Sequence, residues 1–297
     1  MADLASPEGT SRVLRAHGIR PRRRLGQHFL ISRAVLDCLL EAAALSGREG
    51  VLEIGAGIGT LTAALAPSAS RVAAVEFDAA LLPALREAVA SLSNVTVVPG
   101  DVMTLNLEAL IAGLPIPRRA VSNLPYNIAS PLIVRLLERP AGFDRMVFTV
   151  QREVAERLTA APGGKAYGAL SVAVQYRAEA SIVMRVPPTA FYPPPEVDSA
   201  VVLLQVRAHP PVPVGDEALF FRVVRGAFAQ RRKTLRNTLA GALRLAPGTV
   251  EAAAARAAID PRRRGETLDL AEFARLADEL ANAGPEVNPR ESGNKTR

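Results

Sequence analysis

Two short runs carry residue types whose spacing could do chemistry. The first, Val51-Leu52-Glu53-Ile54-Gly55-Ala56-Gly57-Ile58-Gly59-Thr60, is an apolar stretch running straight into three alternating glycines. Glycine tolerates the sharp turns and close ligand approach that larger residues forbid. A helix starting at Thr60 would offer open amides to a polar or anionic ligand. Glu76 ends the next apolar stretch about twenty residues on, where a carboxylate can hold ribose hydroxyls. Asp101 ends the stretch after that. As a series these residues point to a nucleotide-like ligand. Taken alone, Asp101 would serve as well as a helix N-cap.

Gly55, Gly57 and Gly59 give G-x-G-x-G, and Thr60 stands where a dinucleotide site has its third glycine. That spacing resembles motif I of the Rossmann-like S-adenosylmethionine methyltransferases, with Glu53 as its acidic residue. The resemblance implies that Asp101 accepts a hydrogen bond from the cofactor's adenine amine. The second run, Asn123-Leu124-Pro125-Tyr126, resembles the [N/D]-x-P-[Y/F] motif of amino-methyltransferases. An exocyclic adenine amine is a poor nucleophile because its lone pair is delocalised into the ring. The Asn123 amide oxygen and the Leu124 carbonyl can accept its protons and return electron density to nitrogen. Pro125 stiffens the turn, and Tyr126 supplies a flat face for the base. No metal and no covalent intermediate is required. A plain Asn-Pro turn is the competing reading.

The elements that must position these runs are legible as periodicities. Residues 51–54, 71–75, 95–98, 120–122 and 145–150 read as strands, with helices over 34–45, 60–65, 81–92, 130–137 and 153–158. Strands alternating with helices imply a parallel sheet with right-handed crossovers. Two later β-like segments, 181–186 and 199–206, suit an antiparallel edge. The prolines at 210, 211 and 213 mark a linker. Beyond it the chain reads as helical, with Val224, Phe228, Leu235 and Leu239 on one stripe of a helix over 219–239 and further helices over 249–258 and 270–281. The expectation is an α/β fold, a Rossmann-like S-adenosylmethionine methyltransferase domain with a small all-helical C-terminal domain. Its parts are a mobile basic N-terminal arm (1–24), the methyltransferase domain (25–207), a helical RNA-binding domain (216–283) and a disordered tail (284–297).

The 297 residues are 49% hydrophobic and 22% charged, which suits a globular protein with a buried core. With no Trp and 4% aromatics, that core must be mainly Ala, Val and Leu. No apolar run reaches the roughly 18 residues of a membrane span. The N-terminal residues lack the pattern of a secretory signal. Cys38 is the one cysteine, which excludes an internal disulfide and a multi-cysteine zinc site. A cytoplasmic protein is expected, with no metal and no membrane partner. The charge is +7, and only Lys165, Lys233 and Lys295 of the 36 basic residues are lysines. Such an excess suits a polyanionic partner, although a coding bias towards Arg would produce it too.

Further segments carry a closer resemblance. Leu25-Gly26-Gln27-His28-Phe29-Leu30, Tyr167-Gly168-Ala169-Leu170-Ser171, Phe191-Tyr192-Pro193-Pro194-Pro195-Glu196-Val197-Asp198-Ser199-Ala200-Val201 and Phe228-Ala229-Gln230-Arg231-Arg232-Lys233-Thr234-Leu235-Arg236-Asn237 join the two runs above. Together the chain resembles the ribosomal RNA adenine N6,N6-dimethyltransferases of the bacterial small-subunit (16S), kasugamycin-sensitivity family, over about residues 24–280. The family implies dimethylation of two adjacent adenosines in a hairpin loop near the 3′ end of small-subunit (16S) rRNA. S-adenosylmethionine would be the cofactor, held by His28, Leu30, Gly55, Gly57, Glu76, Asp101 and Asn123. Phe191 would form a second aromatic wall, facing Tyr126 across the base. Family members commonly have Asn at the place of His28. On the residues alone, His28 and Phe191 would pass for core or capping residues.

RNA phosphates would meet Arg225, Arg232 and Arg236, together with Arg22–Arg24, Arg118 and Arg119, because the planar guanidinium can bind two oxygens at once. A solvated charged face competes for any single Arg. The small ribosomal subunit is the expected partner, and a monomer the expected state. Two other functions fit parts of the pattern: a large-subunit adenine methyltransferase of the macrolide-resistance type, and a non-catalytic RNA-binding assembly factor on the same fold.

Overall fold

The computed structural model describes residues 4–22, 25–138, 142–230 and 232–283. The chain divides into two compact units, one of residues 1–158 with 178–208 and the other of 159–177 with 209–297.

In the first unit the short apolar runs become strands because every side chain in them can be buried. β2 (Gly50–Ile54) is buried at each position, as a central parallel strand covered on both faces must be. Along the chain come α1 (Pro7–Ala16), β1 (Phe29–Leu30), α2 (Arg33–Ala43), β2, α3 (Thr60–Leu65), β3 (Arg71–Glu76), α4 (Leu82–Ala88), β4 (Val95–Pro99), α5 (Leu107–Ala112), β5 (Arg118–Asn123), α6 (Ala129–Leu137), β6 (Arg145–Gln151) and α7 (Arg152–Thr159). After α8 (Ala169–Arg177) follow β7 (Ala178–Val186), β8 (Phe191–Tyr192) and β9 (Ser199–Val206). The seven-stranded sheet has the order β4-β3-β2-β5-β6-β9-β7. Neighbours from β4 to β6 pair in parallel. β9 pairs antiparallel with both β6 and β7, the antiparallel edge expected. β1 and β8 form a separate two-stranded ribbon.

The expected mobile arm is instead partly folded. Ser6 caps α1 through the Gly9 amide, and Pro7 occupies its first turn, where proline is favoured. Leu14 is buried with Phe29, Ile58, Leu81 and Ala84, and burying those side chains gives the helix its place. Arg23 and Arg24, like the tail 284–297, lie outside the described residues.

Of the three glycines, Gly59 serves packing. Its φ is +88°, and a Cβ there would lie 2.9 Å from Ala88 Cβ of α4. Gly59→Ala is expected to destabilise the chain by about 2–5 kcal/mol, the sum of left-handed strain and overpacking. Urea unfolding would show it, and an unchanged midpoint would contradict it.

The second unit holds α8, α9 (Glu217–Phe228), α10 (Leu235–Leu243), α11 (Pro247–Arg256) and α12 (Leu270–Asn282). Two expectations change here. The segment 159–177, expected in the methyltransferase domain, belongs with these helices. The reason is the burial of Tyr167, Val172 and Tyr176 among Phe220, Val224 and Phe273. The helix expected over 219–239 is broken between α9 and α10. The amides of Leu235 and Arg236 bond to the carbonyls of Arg263 and Pro261 instead of continuing a helix. The break lets α10 fold back on α9, where a Cβ on Gly226 would meet Ala242 at 3.1 Å.

Candidate cofactor and catalytic site

A cavity of about 310 Å³ opens in the first unit at the carboxyl ends of β2, β3 and β5. Ligands of open α/β sheets bind at that end of the strands, and the volume falls within the roughly 300–1,000 Å³ of small-molecule sites. Gly55, Gly57, Glu76 and Asp101 line it. His28, Leu30, Asn123 and Pro125 line it too.

Positive φ at Gly55 (+74°) and Gly57 (+62°) turns the chain out of β2. A Cβ on Gly55 would sit 3.2 Å from Pro125 Cδ, so the glycine lets the two chemical runs touch. The Gly57 amide is not open to a ligand: it donates to Glu76 Oε2 at 2.8 Å. Glu76 Oε1 accepts from the Asp78 amide at 2.8 Å. The carboxylate is thereby aimed while keeping lone pairs for hydroxyl donors. Burial pushes its pKa up, opposed by those amides. Asp101 Oδ1 accepts from the Met103 amide at 2.8 Å, so it does cap its own turn and also lines the cavity.

Glu53 is 2% exposed. Burial, reinforced by the nearby Glu76 charge, pushes its pKa up to about 8. It is therefore largely a neutral acid at pH 7, the form that a dry site favours.

The 123–128 turn is held at both ends. The Leu124 amide donates to Thr149 O at 3.2 Å, and Pro125 O accepts from the Ile128 amide at 3.2 Å. Asn123 Nδ2 donates to His28 O at 2.9 Å, which sets the amide's orientation. Its Oδ1 is buried and has no hydrogen-bond partner among the described residues. An unmatched buried acceptor costs roughly 1–3 kcal/mol, and it suits a donor brought by a ligand. Tyr126 Oη pairs with Ser199 Oγ at 2.6 Å.

The aromatic arrangement differs from expectation. Phe191 is 1% exposed and sits in the core cluster with Leu30, Val35 and Val186. The β1–β8 pairing sets it opposite Leu30 and turns it inward. The ring stacked on Tyr126 is His28, with centroids 5.5 Å apart. His28 Nδ1 lies 2.7 Å from Pro193 O. Since a carbonyl only accepts, Nδ1 carries the proton. Leu124 is buried and does not line the cavity, nor does Tyr126.

The arginines sort similarly. Arg225 and Arg232 are exposed in the second unit, whereas Arg236 is paired with Glu251. Arg119 is paired with Asp144 and only 13% exposed. Arg118 is half-buried and its Nε donates to Leu114 O. Sequence reasoning passed over Gln27 and Asp78, which also line the cavity. The one signal was the spacing of Asp78, two residues after Glu76.

The parallel sheet, the glycine turn against an amine-directed Asn-Leu-Pro-Tyr turn, and the carboxylates on adjoining strand ends define a Rossmann-like S-adenosylmethionine-dependent methyltransferase. The chain belongs to the ribosomal RNA adenine dimethylase family, whose model matches residues 18–282. It is 49% identical over 296 residues to the Ribosomal RNA small subunit methyltransferase A of Pelotomaculum thermopropionicum, covering 96% of this chain and 99% of that one. It is 47% identical over 284 residues to the protein of the same name from Geobacillus thermodenitrificans, covering 94% and 97%. Among solved structures, a dimethyladenosine transferase from Plasmodium falciparum matches with TM-score 0.73 at 25% identity, over 86% of this chain and 98% of that one. The 23S rRNA methyltransferase ErmE matches with TM-score 0.64 at 27% identity, over 85% and 99%. No helix among the described residues is long and apolar enough to cross a membrane.

Proposed function

We propose that this chain dimethylates the N6 amines of two adjacent adenosines in a hairpin loop near the 3′ end of small-subunit (16S) rRNA, as a step of small-subunit biogenesis. The observation that carries the reading is Asn123 Oδ1, a buried acceptor in the cavity wall with no partner among the described residues, fixed in direction by the bond from Nδ2 to His28 O. The cofactor supplies a methyl group on a sulfonium sulfur. Asn123 Oδ1 accepts one N6 hydrogen; in the first transfer the Leu124 carbonyl accepts the other, whose place the added methyl group takes in the second. Both bonds return lone-pair density to nitrogen for in-line attack, and catalysis comes from positioning and electrostatics. The proton leaves after transfer, so a neutral amide suffices. Tyr126 offers the base the ring face that His28 does not cover. Phe191 joins as a second wall only if the base displaces it from the core. Glu76 takes the ribose hydroxyls and Asp101 the adenine amine. His28, Leu30, Gly55 and Gly57 wall the cofactor. Loop adenosines are partly unstacked already, which lowers the cost of presenting N6.

The relatives' names support the small subunit as substrate; a cytoplasmic monomer is part of the same proposal. Incubation with labelled cofactor and under-methylated small subunits, followed by base mapping, tests this. Label on two adjacent small-subunit adenines is expected. The likeness to a 23S rRNA methyltransferase keeps one other reading, which label on large-subunit adenines would favour; no label would favour a binding factor.

Arg225 and Arg232, exposed on the helical unit, serve the RNA backbone, with Arg236 as a third contact once it exchanges Glu251 for phosphate. Arg232→Glu is expected to weaken RNA binding and lower the salt-dependence slope by about one. An unchanged slope would remove Arg232 from the interface.

A further inference from the structure

The cavity wall formed by residues 25–30 has little regular structure of its own: a two-residue strand, β1, is all it contributes to a sheet. Something else must hold it against the strand ends. Asp78, two residues beyond Glu76, is 7% exposed, and among the described residues its side chain accepts from Gln27 of this wall, from Arg22 and from its own turn. Its Oδ2 accepts from Gln27 Nε2 at 2.7 Å. Its Oδ1 accepts from Arg22 Nη1 at 3.2 Å and from the Ala80 amide at 3.1 Å. Gln27 turns its other end back on the same segment, where Oε1 accepts from the Arg22 amide at 2.8 Å. The Asp78 amide in turn donates to Glu76 Oε1, whose partner oxygen takes the Gly57 amide. One continuous chain of directional bonds thus runs from residue 22 through Gln27, Asp78 and Glu76 to the glycine turn.

We propose that Asp78 is a positioning residue for cofactor binding. Its carboxylate clamps residues 25–30 over the cavity through Gln27, with Arg22 as a second anchor, and sets how tightly S-adenosylmethionine is held without acting on methyl transfer. The proposal rests on the reading of this cavity as the cofactor site. The physical basis is that a buried carboxylate accepts only, and its bonds from a cation and amides are charge-assisted. A carboxamide in its place, as in Asp78→Asn, conflicts with its neighbours. It could keep its oxygen towards Ala80 and Arg22, but its NH2 would then face the Gln27 NH2. Flipping Gln27 would set its NH2 against the Arg22 amide. Changing Gln27 to Glu as well removes the conflict, because both oxygens of the new carboxylate accept, one from the introduced carboxamide and one from the Arg22 amide.

The test is calorimetric titration of the full chain with S-adenosylmethionine and with S-adenosylhomocysteine. Single-turnover methyl transfer at saturating cofactor is measured in parallel. Asp78→Asn and Gln27→Glu should each weaken cofactor binding about 10-fold or more, with the saturated rate within about threefold. The double variant should return to within about threefold of the unmodified Kd, a rescue that a merely structural role for each residue would not produce. Gln27→Met keeps Asp78 paired with Arg22 and Ala80, so it tests the clamp even if Asp78→Asn folds poorly; it too should raise the Kd. Equal affinity of Gln27→Met and the unmodified chain, or a double variant no better than the weaker single one, overturns the clamp alone. Failure of the unmodified chain to bind either ligand overturns the cofactor reading, and the clamp with it.

Discussion

Asn123→Ala is expected to slow methyl transfer by about 10²–10³-fold, the loss typical of removing one aimed polar group from an active site. Cofactor affinity should stay within a few-fold. Asn123 Nδ2 is committed to His28 O, which leaves Oδ1 as the side chain's acceptor for the substrate amine. Deleting the amide also frees the His28 carbonyl, so part of the loss would come from a less ordered wall beside Tyr126. Single-turnover rates at saturating cofactor, alongside cofactor titration, separate the two. Near-normal turnover would remove Asn123 from catalysis. A large loss of cofactor affinity with a normal saturated rate would make it a binding residue instead.

The second large effect is on stability against pH. Glu53 has its pKa raised from 4.5 to about 8 by burial. Below pH 4.5 the folded and unfolded chains both hold this proton. Between 4.5 and about 8 the unfolded chain has released it and the folded one has not. Folding then takes up a proton, so stability falls as pH rises across that window, at up to about 1.4 kcal/mol per pH unit. Above 8 the loss levels off. Glu76, also raised by burial, acts in the same direction. Glu49 acts oppositely and elsewhere. Burial alone would raise it, but hydrogen bonds from Ser46 and Arg48 hold it near 2, so its stabilisation is lost as pH falls from 4.5 towards 2. Glu53→Gln is therefore expected to match the parent at pH 5 and to exceed it by a few kcal/mol at pH 8.5. Urea unfolding at the two pH values measures the difference. Parallel pH profiles for the two chains would show that Glu53 ionises normally in the fold.

Much of the sheet was legible because parallel strands buried on both faces leave unbroken apolar runs. Residues 51–54 and 145–150 announced β2 and β6 within a residue. The helices were less legible where packing and not periodicity ends them. The stripe from Val224 to Leu239 reads as one helix, yet the chain breaks after Phe228 because Leu235 and Arg236 find carbonyls at Arg263 and Pro261. The segment 159–177 carries no local mark of its unit. Tyr167 and Tyr176 join the helices because Phe220 and Phe273 surround them.

At the site, the sequence by itself determined the chemistry. Alternating glycines, carboxylates after successive strands and an Asn-Leu-Pro-Tyr turn are local patterns, and backbone conformation and side-chain functional groups are properties of the residues themselves. Only the tertiary structure decided what each group faces. It turned Phe191 into the core and laid His28 on Tyr126. It spent the Gly57 amide on Glu76, left Asn123 Oδ1 unmatched, and made Glu53 a neutral acid. Burial and hydrogen-bond partners come from segments far apart in the chain, and no spacing within one run encodes them.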